Sequence, residues 1–231
     1  MAGAALRYPL RHTRPPPRAG RQKLNPTDLP SPLPLFPLNT VLFPGAVLGL
    51  RIFEARYLDL MTDCLRTRQP FGVVCMKAGA EAGRSNAPLQ VEDVGVLAHL
   101  DEVDAEQPGI LHVRCLGGER FRLMQPPTPR DNGLWVAPVG RIAPDVLRLP
   151  GPAVLATVSA LAEAIRKLQA NDRVPFAPPY RLDDAGWVAN RWCELLPISL
   201  DAKQKLMALE DPVIRLSLVD GYLRDKQVVV G

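Results

Sequence analysis

The chain has 231 residues, with 28 Lys and Arg against 24 Asp and Glu, a formal net charge of +4, and 47% hydrophobic residues. That is enough for one large domain or two small ones around a continuous core. No uncharged apolar run approaches the roughly 20 residues of a membrane span, and the first thirty residues lack a secretory apolar stretch, so the expectation is a soluble cytoplasmic protein without a membrane partner.

The charge is unevenly spread. Residues 1–30 hold Arg7, Arg11, Arg14, Arg18, Arg21 and Lys23 against the single acid Asp28, a net +5 that leaves residues 31–231 at −1. The basicity therefore belongs to this first segment, while the remainder is electrically balanced. With Pro15-Pro16-Pro17 and little apolar material, residues 1–30 read as a disordered Pro/Arg-rich tail. A transit peptide is also Arg-rich and poor in acids, but this segment has no Ser and its prolines interrupt an amphipathic helix.

From 31 to 150 the signal is mainly β. Candidate strands are 33–38, 47–53, 71–76, 93–99, 110–115, 119–125 and 134–141, bounded mostly by Gly, Pro or Asp clusters. Pro34, Pro37 and Pro44 lack amide donors, so the opening strand must lie at a sheet edge or bend sharply. One helix interrupts the strands: Glu54 to Arg68 places Tyr57, Leu58, Met61 and Leu65 at helical spacing. Lys77–Gln90, with two glycines, Ser85-Asn86 and Pro88, reads as a long exposed loop. Short strands with one early helix predict a small, strongly curved sheet or barrel.

After Pro150-Gly151-Pro152 the pattern becomes helical, through residues 151–231. Val154 to Gln169 carries a stripe of Leu155, Val158, Leu161, Ala162, Ile165 and Leu168. Asn171 to Tyr180 is a Pro-rich connection. Asp184 can cap a second helix with Val188, Trp192 and Leu195 buried. Ser199 can cap a third, with Leu206 and Leu209 inward. Asp211-Pro212 opens a fourth, with Ile214, Leu218 and Tyr222 on its buried stripe. Strands followed by helices make an α+β chain with segregated halves.

Several segments then resemble one family, in order. The opening run Leu33-Pro34-Leu35-Phe36-Pro37-Leu38 through Pro44-Gly45 and Arg51-Ile52-Phe53-Glu54-Ala55-Arg56-Tyr57 is similar to the start of the Lon protease N-terminal domain, the Lon substrate-binding domain. Asp93-Val94-Gly95-Val96-Leu97-Ala98 and Gly118-Glu119-Arg120-Phe121-Arg122-Leu123 resemble two of its strands. Leu196-Pro197, the run to Lys203-Gln204-Lys205-Leu206, Leu209-Glu210-Asp211-Pro212 and Arg215-Leu216 resemble its closing helices. The resemblance covers about 33–224 and implies a PUA-like β pseudobarrel followed by a C-terminal helical bundle. It also implies binding of unfolded or damaged polypeptide, the ATPase and protease domains of the family lying further along a longer chain. The expectation is a stand-alone, non-enzymatic member, acting as an adaptor to a protease or chaperone.

Candidate chemistry is sparse. There is no phosphate-cradling G-x-x-x-x-G-K-[ST], no H-E-x-x-H and no G-x-S-x-G, so neither a cofactor nor a metal is expected. Ser199 and Lys203 stand at i, i+4, the one Ser–Lys pair at helical spacing, but read as a helix cap and a solvated charge, since an exposed lysine is too basic to activate a hydroxyl. His112 and Cys115, three apart in a strand, point to opposite faces and cannot share an ion. His99 near Asp101 and Glu102 reads as a satisfied or solvent-facing residue, and His12 lies in the tail. Cys64, Cys75, Cys115 and Cys193 have no metal-like spacing and read as reduced, apolar thiols. Glu54, Arg56 and Tyr57 read as architecture: an acid near a helix start, a pairing arginine and a packed ring. Of the tryptophans, Trp192 is assigned to the buried stripe, Trp187 to that helix's edge, and Trp135 to a β segment. No catalytic, cofactor or metal residue is nominated, and the polypeptide-binding residues are not legible. The alternative function is RNA binding, which PUA-like folds also serve, but the near-neutral domain lacks a basic patch interleaved with aromatics.

Overall fold

A computed structural model describes residues 7–8, 31–77, 89–171 and 176–229. The strands are β1 (Arg7–Tyr8), β2 (Leu33–Leu38), β3 (Val47–Ile52), β4 (Phe71–Cys75), β5 (Val94–Gln107), β6 (Ile110–Leu123), β7 (Thr128–Pro129), β8 (Trp135–Ala137) and β9 (Val139–Arg141). The helices are α1 (Ala55–Thr67), α2 (Leu155–Ala170), α3 (Ala185–Leu195), α4 (Leu200–Ala208) and α5 (Pro212–Asp225). The expected α+β division is present: one mixed sheet in the order β3-β6-β5-β4-β2-β8-β7, with β1 on β5 and β9 on β6, then the helices.

The prolines of β2 are accommodated by a change of partner. Leu33 and Pro34 pair with β8, while Leu35 to Leu38 pair in parallel with β4. Each half of β2 thus has one partner strand among the described residues, which tolerates residues without an amide donor.

Residues 110–123 form one strand where two were expected. Gly117-Gly118 signals a break, yet here the glycines permit close approach. A Cβ on Gly117 would lie 2.3 Å from the Phe43 carbonyl oxygen, and one on Gly118 would lie 2.7 Å from the His99 ring. Gly45, at φ +75°, completes this crossing by donating its amide to the Gly117 carbonyl at 2.8 Å. Conversely, the expected strand 134–141 splits into β8 and β9 at Pro138. The expected loop at 77–90 begins and ends in order, with Met76 bridging to buried Val91, while 78–88 lie outside the described residues. Residues 1–30 lie outside them too, except that β1 pairs with β5.

The helix caps form where local chemistry places them. Asp184 accepts from the amides of Gly186 and Trp187, Ser199 from that of Ala202, and Asp211 from those of Val213 and Ile214. Each such cap contributes about 1 kcal/mol. The buried stripes differ more. On α5 the buried residues are Pro212, Arg215, Leu216, Val219 and Leu223, while the expected Ile214 and Leu218 are 51% and 55% exposed. The helix is turned by about one residue because Arg215 points inward. On α2, Leu155 is exposed and Thr157 is buried beside Leu161 and Ile165. The Thr157 hydroxyl donates to Asp220 at 2.6 Å, which satisfies it. On α1, Leu60 and Cys64 are buried beside Tyr57 and Met61, while Leu65 is exposed. On α4 the buried pair is Gln204 and Met207, with Leu206 and Leu209 only half-buried.

Sheet and helices share a core. One continuous cluster joins Phe43, Met61, Val96 and Cys115 to Leu161, Trp192 and Leu216. Among the described residues, no helix is long and apolar enough to cross a membrane.

Candidate functional site

The residues singled out in the sequence take structural places. Ser199 caps α4, and Lys203 donates to the Glu194 carbonyl at 3.2 Å, so it is a pinned, partly buried charge rather than a solvated one. His112 is exposed and Cys115 is buried, on opposite faces of β6. Asp101 and Glu102 pair with Arg114, at 3.4 and 3.1 Å, and not with His99. Burial lowers the His99 pKa, against the pull of Glu119. His12 lies outside the described residues. Arg56 pairs with Glu54 at 2.7 Å, donates to the Gly133 carbonyl, and lies over the Tyr57 ring. Tyr57 in turn stacks on Phe36 at 4.0 Å between centroids. Trp192 is buried, its indole N–H donating to the Thr157 carbonyl at 3.1 Å. Trp187 is half-buried against Phe176 and Tyr180, and Trp135 is half-buried. All four cysteines are free and buried. Burial pushes the Cys64 thiol up to about 11 and those of Cys115 and Cys193 up to about 12, so they stay protonated and unreactive at neutral pH.

Three arginines to which the sequence assigned no role are internal. Arg120, Arg191 and Arg215 are 2%, 0% and 1% exposed. Arg120 on β6 and Arg215 on α5 converge on Asp145, each at 2.6 Å. Arg120 also donates to the carbonyls of Met207 and Leu209, and Arg215 to those of Leu206 and Leu209 and to Asn190. This joint ties the sheet, the connecting segment and three helices together. Arg191 on α3 donates to the Pro44 and Gly45 carbonyls at 2.8 Å, pairs with Glu194, and lies over Phe176 and Trp187. Burial pushes the Glu194 carboxyl up to about 7, with Arg191 opposing it. Arg120 and Arg215 both fall within the segments that resemble the Lon family, and that was the only signal pointing to them.

One accessible concavity lies at the far end of the sheet. An open groove of about 510 Å³ separates α1 from the tip of the β5–β6 hairpin, lined by Leu58, Thr62, Ala105, Pro108, Ile110 and Leu111. Leu65, on the same side of α1 as Leu58 and Thr62, is 41% exposed. Phe53, next to the Ile52–Leu111 pair at the end of β3, is 65% exposed. Apolar side chains that could have been covered are thus left open around a concave surface. Beside the groove, β5 outruns its neighbour: β4 pairs with it only from Val96 to Ala98. That outer half carries Asp101, Glu102 and Asp104, and an Asp104 carboxylate oxygen is buried without a hydrogen-bond partner among the described residues. Among these residues no group of three His, Cys, Asp or Glu side chains is arranged to hold a metal.

A mixed sheet leading into a helical bundle, stapled by internal arginines, defines a domain of the Lon N-terminal type. The family model of the ATP-dependent protease La (LON) substrate-binding domain matches residues 32–225, and the chain belongs to that family. It is similar to a crystal structure of a Lon N-terminal domain protein from Xanthomonas campestris, with 34% identity and a TM-score of 0.66 over 82% of this chain and 97% of that one. The N-terminal domain of the Mycobacterium avium complex Lon protease shares the fold, at 14% identity and a TM-score of 0.56 over 84% of this chain and 98% of that one. Lon protease 2 of Myxococcus xanthus is 37% identical over 103 residues, 44% of this chain and 12% of that protein. The Lon protease of Anaeromyxobacter dehalogenans is 36% identical over 78 residues, 33% of this chain and 9% of that protein. The matched regions thus span about a tenth of the length of these proteases.

Proposed function

We propose that this protein is a non-enzymatic receptor for unfolded or damaged polypeptide, serving as an adaptor to a protease or chaperone. The observation that carries the reading is the open apolar groove between α1 and the β5–β6 hairpin, on a domain whose family is defined by substrate binding. A concave apolar surface suits an extended chain, which offers its side chains to it. Ordering a flexible chain consumes much of the contact energy, so the affinity is on the order of micromolar or poorer. RNA binding finds less support, because Arg120, Arg191 and Arg215 are spent on internal carbonyls and carboxylates and are not available to phosphates.

Titration of a labelled, permanently unfolded polypeptide into the full chain, with its folded form as control, tests the reading. Saturable binding of the unfolded form alone is expected, weakened by Leu58→Glu in the groove wall. The absence of saturable binding up to a few hundred micromolar removes the receptor function.

A further inference from the structure

The sequence places an apolar stripe on α5 that the single chain does not bury. Ile214, Ser217, Leu218 and Gly221 stand at i, i+3, i+4 and i+7, so they share one helix face. All four are exposed, because the opposite side of the helix carries Arg215, Leu216, Val219 and Leu223 into the core. The neighbouring surface is apolar too. The segment from Asp145 to Thr157 follows α5, held to Arg215 at one end and to Asp220 and Arg224 at the other. On it Val146, Leu147, Leu149 and Leu155 are more than half exposed, as are Ile214 and Leu218 on the helix. With Val213 and Val228 these make eight of the twelve large apolar side chains left exposed among the described residues. Concentration in one region marks a contact surface, whereas single exposed side chains scattered over a monomer mark nothing.

Gly221 indicates what kind of body covers the face. Glycine is, proline apart, the poorest residue for a helix interior. Nothing in this chain requires it there, since a Cβ on Gly221 would meet no atom within 4 Å. A second backbone coming close does require it, because helix axes approach to about 8 Å only over small side chains. Ser217, one turn earlier, is small as well, and its hydroxyl donates to the Val213 carbonyl at 3.0 Å, which leaves it no unmet donor. Ile214 and Leu218 flank this small pair. The stripe thus carries both ridge and groove, the property a surface needs in order to pack against itself about a two-fold axis.

We propose that two copies of this chain associate through α5, crossing in antiparallel sense at Ser217 and Gly221. Charge agrees with that sense. Glu210 and Asp211 stand at the start of α5, while Arg224 and Lys226 outweigh Asp225 at its end, so each acidic start meets a net basic end. The stripe between them carries no charge. The area is also sufficient. Eight half-exposed Val, Leu and Ile side chains offer on the order of 450 Å² of apolar surface per copy. The apolar share of a homodimer face of about 800 Å² is roughly 500 Å². A dimer with an affinity on the order of micromolar follows. None of these side chains lines the groove between α1 and the hairpin, so the interface is independent of the receptor reading.

Sedimentation equilibrium and light scattering on the full chain, from about 1 to 200 micromolar, test it. The mass should rise with concentration from that of one chain towards that of two. Leu218→Glu, at a position exposed in the single chain, should weaken the dimer roughly tenfold or more and leave the thermal midpoint of the dilute protein unchanged. Gly221→Leu separates shape from apolar area. It adds both apolar surface and helix propensity, so it should raise the dilute midpoint, yet weaken the dimer by a similar factor because the helices can no longer close. Met124→Glu, which removes an exposed apolar side chain elsewhere, should leave the dimer intact. A chain that stays monomeric to about 200 micromolar overturns the proposal. So does a dimer indifferent to Leu218→Glu, or one that Gly221→Leu strengthens. A monomeric chain that still binds unfolded polypeptide would remove this interface alone and leave the receptor function standing.

Discussion

Replacing Asp145 by Ala is the sharpest probe of how the two halves are joined. The carboxylate receives Arg120 and Arg215, both at 2.6 Å, and a second bond from Arg215 at 3.3 Å. Removing it leaves two guanidinium groups, 2% and 1% exposed, facing each other with only neutral acceptors. Burial already lowers the Arg120 pKa, Asp145 opposes that effect, and Arg215 adds to it, so loss of the acid exposes the repulsion. Breaking a buried pair from one side costs about 3–5 kcal/mol, much of the stability of a domain this size. Asp145→Asn keeps the shape and an acceptor oxygen and should cost less. Urea unfolding followed by far-UV circular dichroism and tryptophan fluorescence gives both numbers. Trp187 and Trp192 lie on α3 and Trp135 on β8, so with Trp135→Phe as background the fluorescence reports the helical half, and separation of the two transitions would show that the joint couples sheet to helices. A loss below about 1 kcal/mol for Asp145→Ala would refute the assignment of the joint as a structural tie. A complementary triple replacement, Asp145→Leu with Arg120→Met and Arg215→Met, should recover much of the loss if unpaired charge is the cause.

Three further outcomes are expected. Trp192→Ala should cost about 3–5 kcal/mol in chemical denaturation, since it leaves a cavity and removes the indole bond to the Thr157 carbonyl; a shift below about 1 kcal/mol would contradict the burial of α3. The Glu194 carboxyl sits at about 7 in the fold against 4.5 unperturbed. Between those values the folded state keeps a proton that the unfolded chain has lost, so its contribution falls as pH rises through that window. Urea midpoints measured across the window should show this fall in the unaltered protein and lose it in Glu194→Gln. Purified protein should turn over neither ATP nor casein, and Ser199→Ala should only weaken a cap, by about 1 kcal/mol; turnover that disappears in that variant would make Ser199 a nucleophile.

What was legible in the sequence is what neighbouring residues decide among themselves. Asp184, Ser199 and Asp211 announced the helix starts because a cap involves amides two or three residues away. Strands 33–38 and 47–53 were legible for the same reason, as were the β-then-α order and the ordered segments resembling the Lon family. What tertiary structure decided is where charge goes and which edges stay open. Gly117-Gly118 reads locally as a break, yet only the approach of Phe43 and His99 shows why both must lack a side chain. Arg215 belongs by its own polarity on the solvent face of α5, and placing it there puts Ile214 and Leu218 in the core. It is buried because Asp145, seventy residues earlier in the chain, meets it with Arg120 from β6. The candidate site has the same character. Leu58 and Ile110 are ordinary members of a helix and a strand, and the groove exists because α1 and the hairpin tip stop short of each other. That β5 runs beyond β4 follows from β4 beginning at Phe71, opposite Ala98. A chain encodes local hydrogen bonding within a few residues, whereas buried ion pairs, grooves and strand edges are set by distances between segments far apart along it.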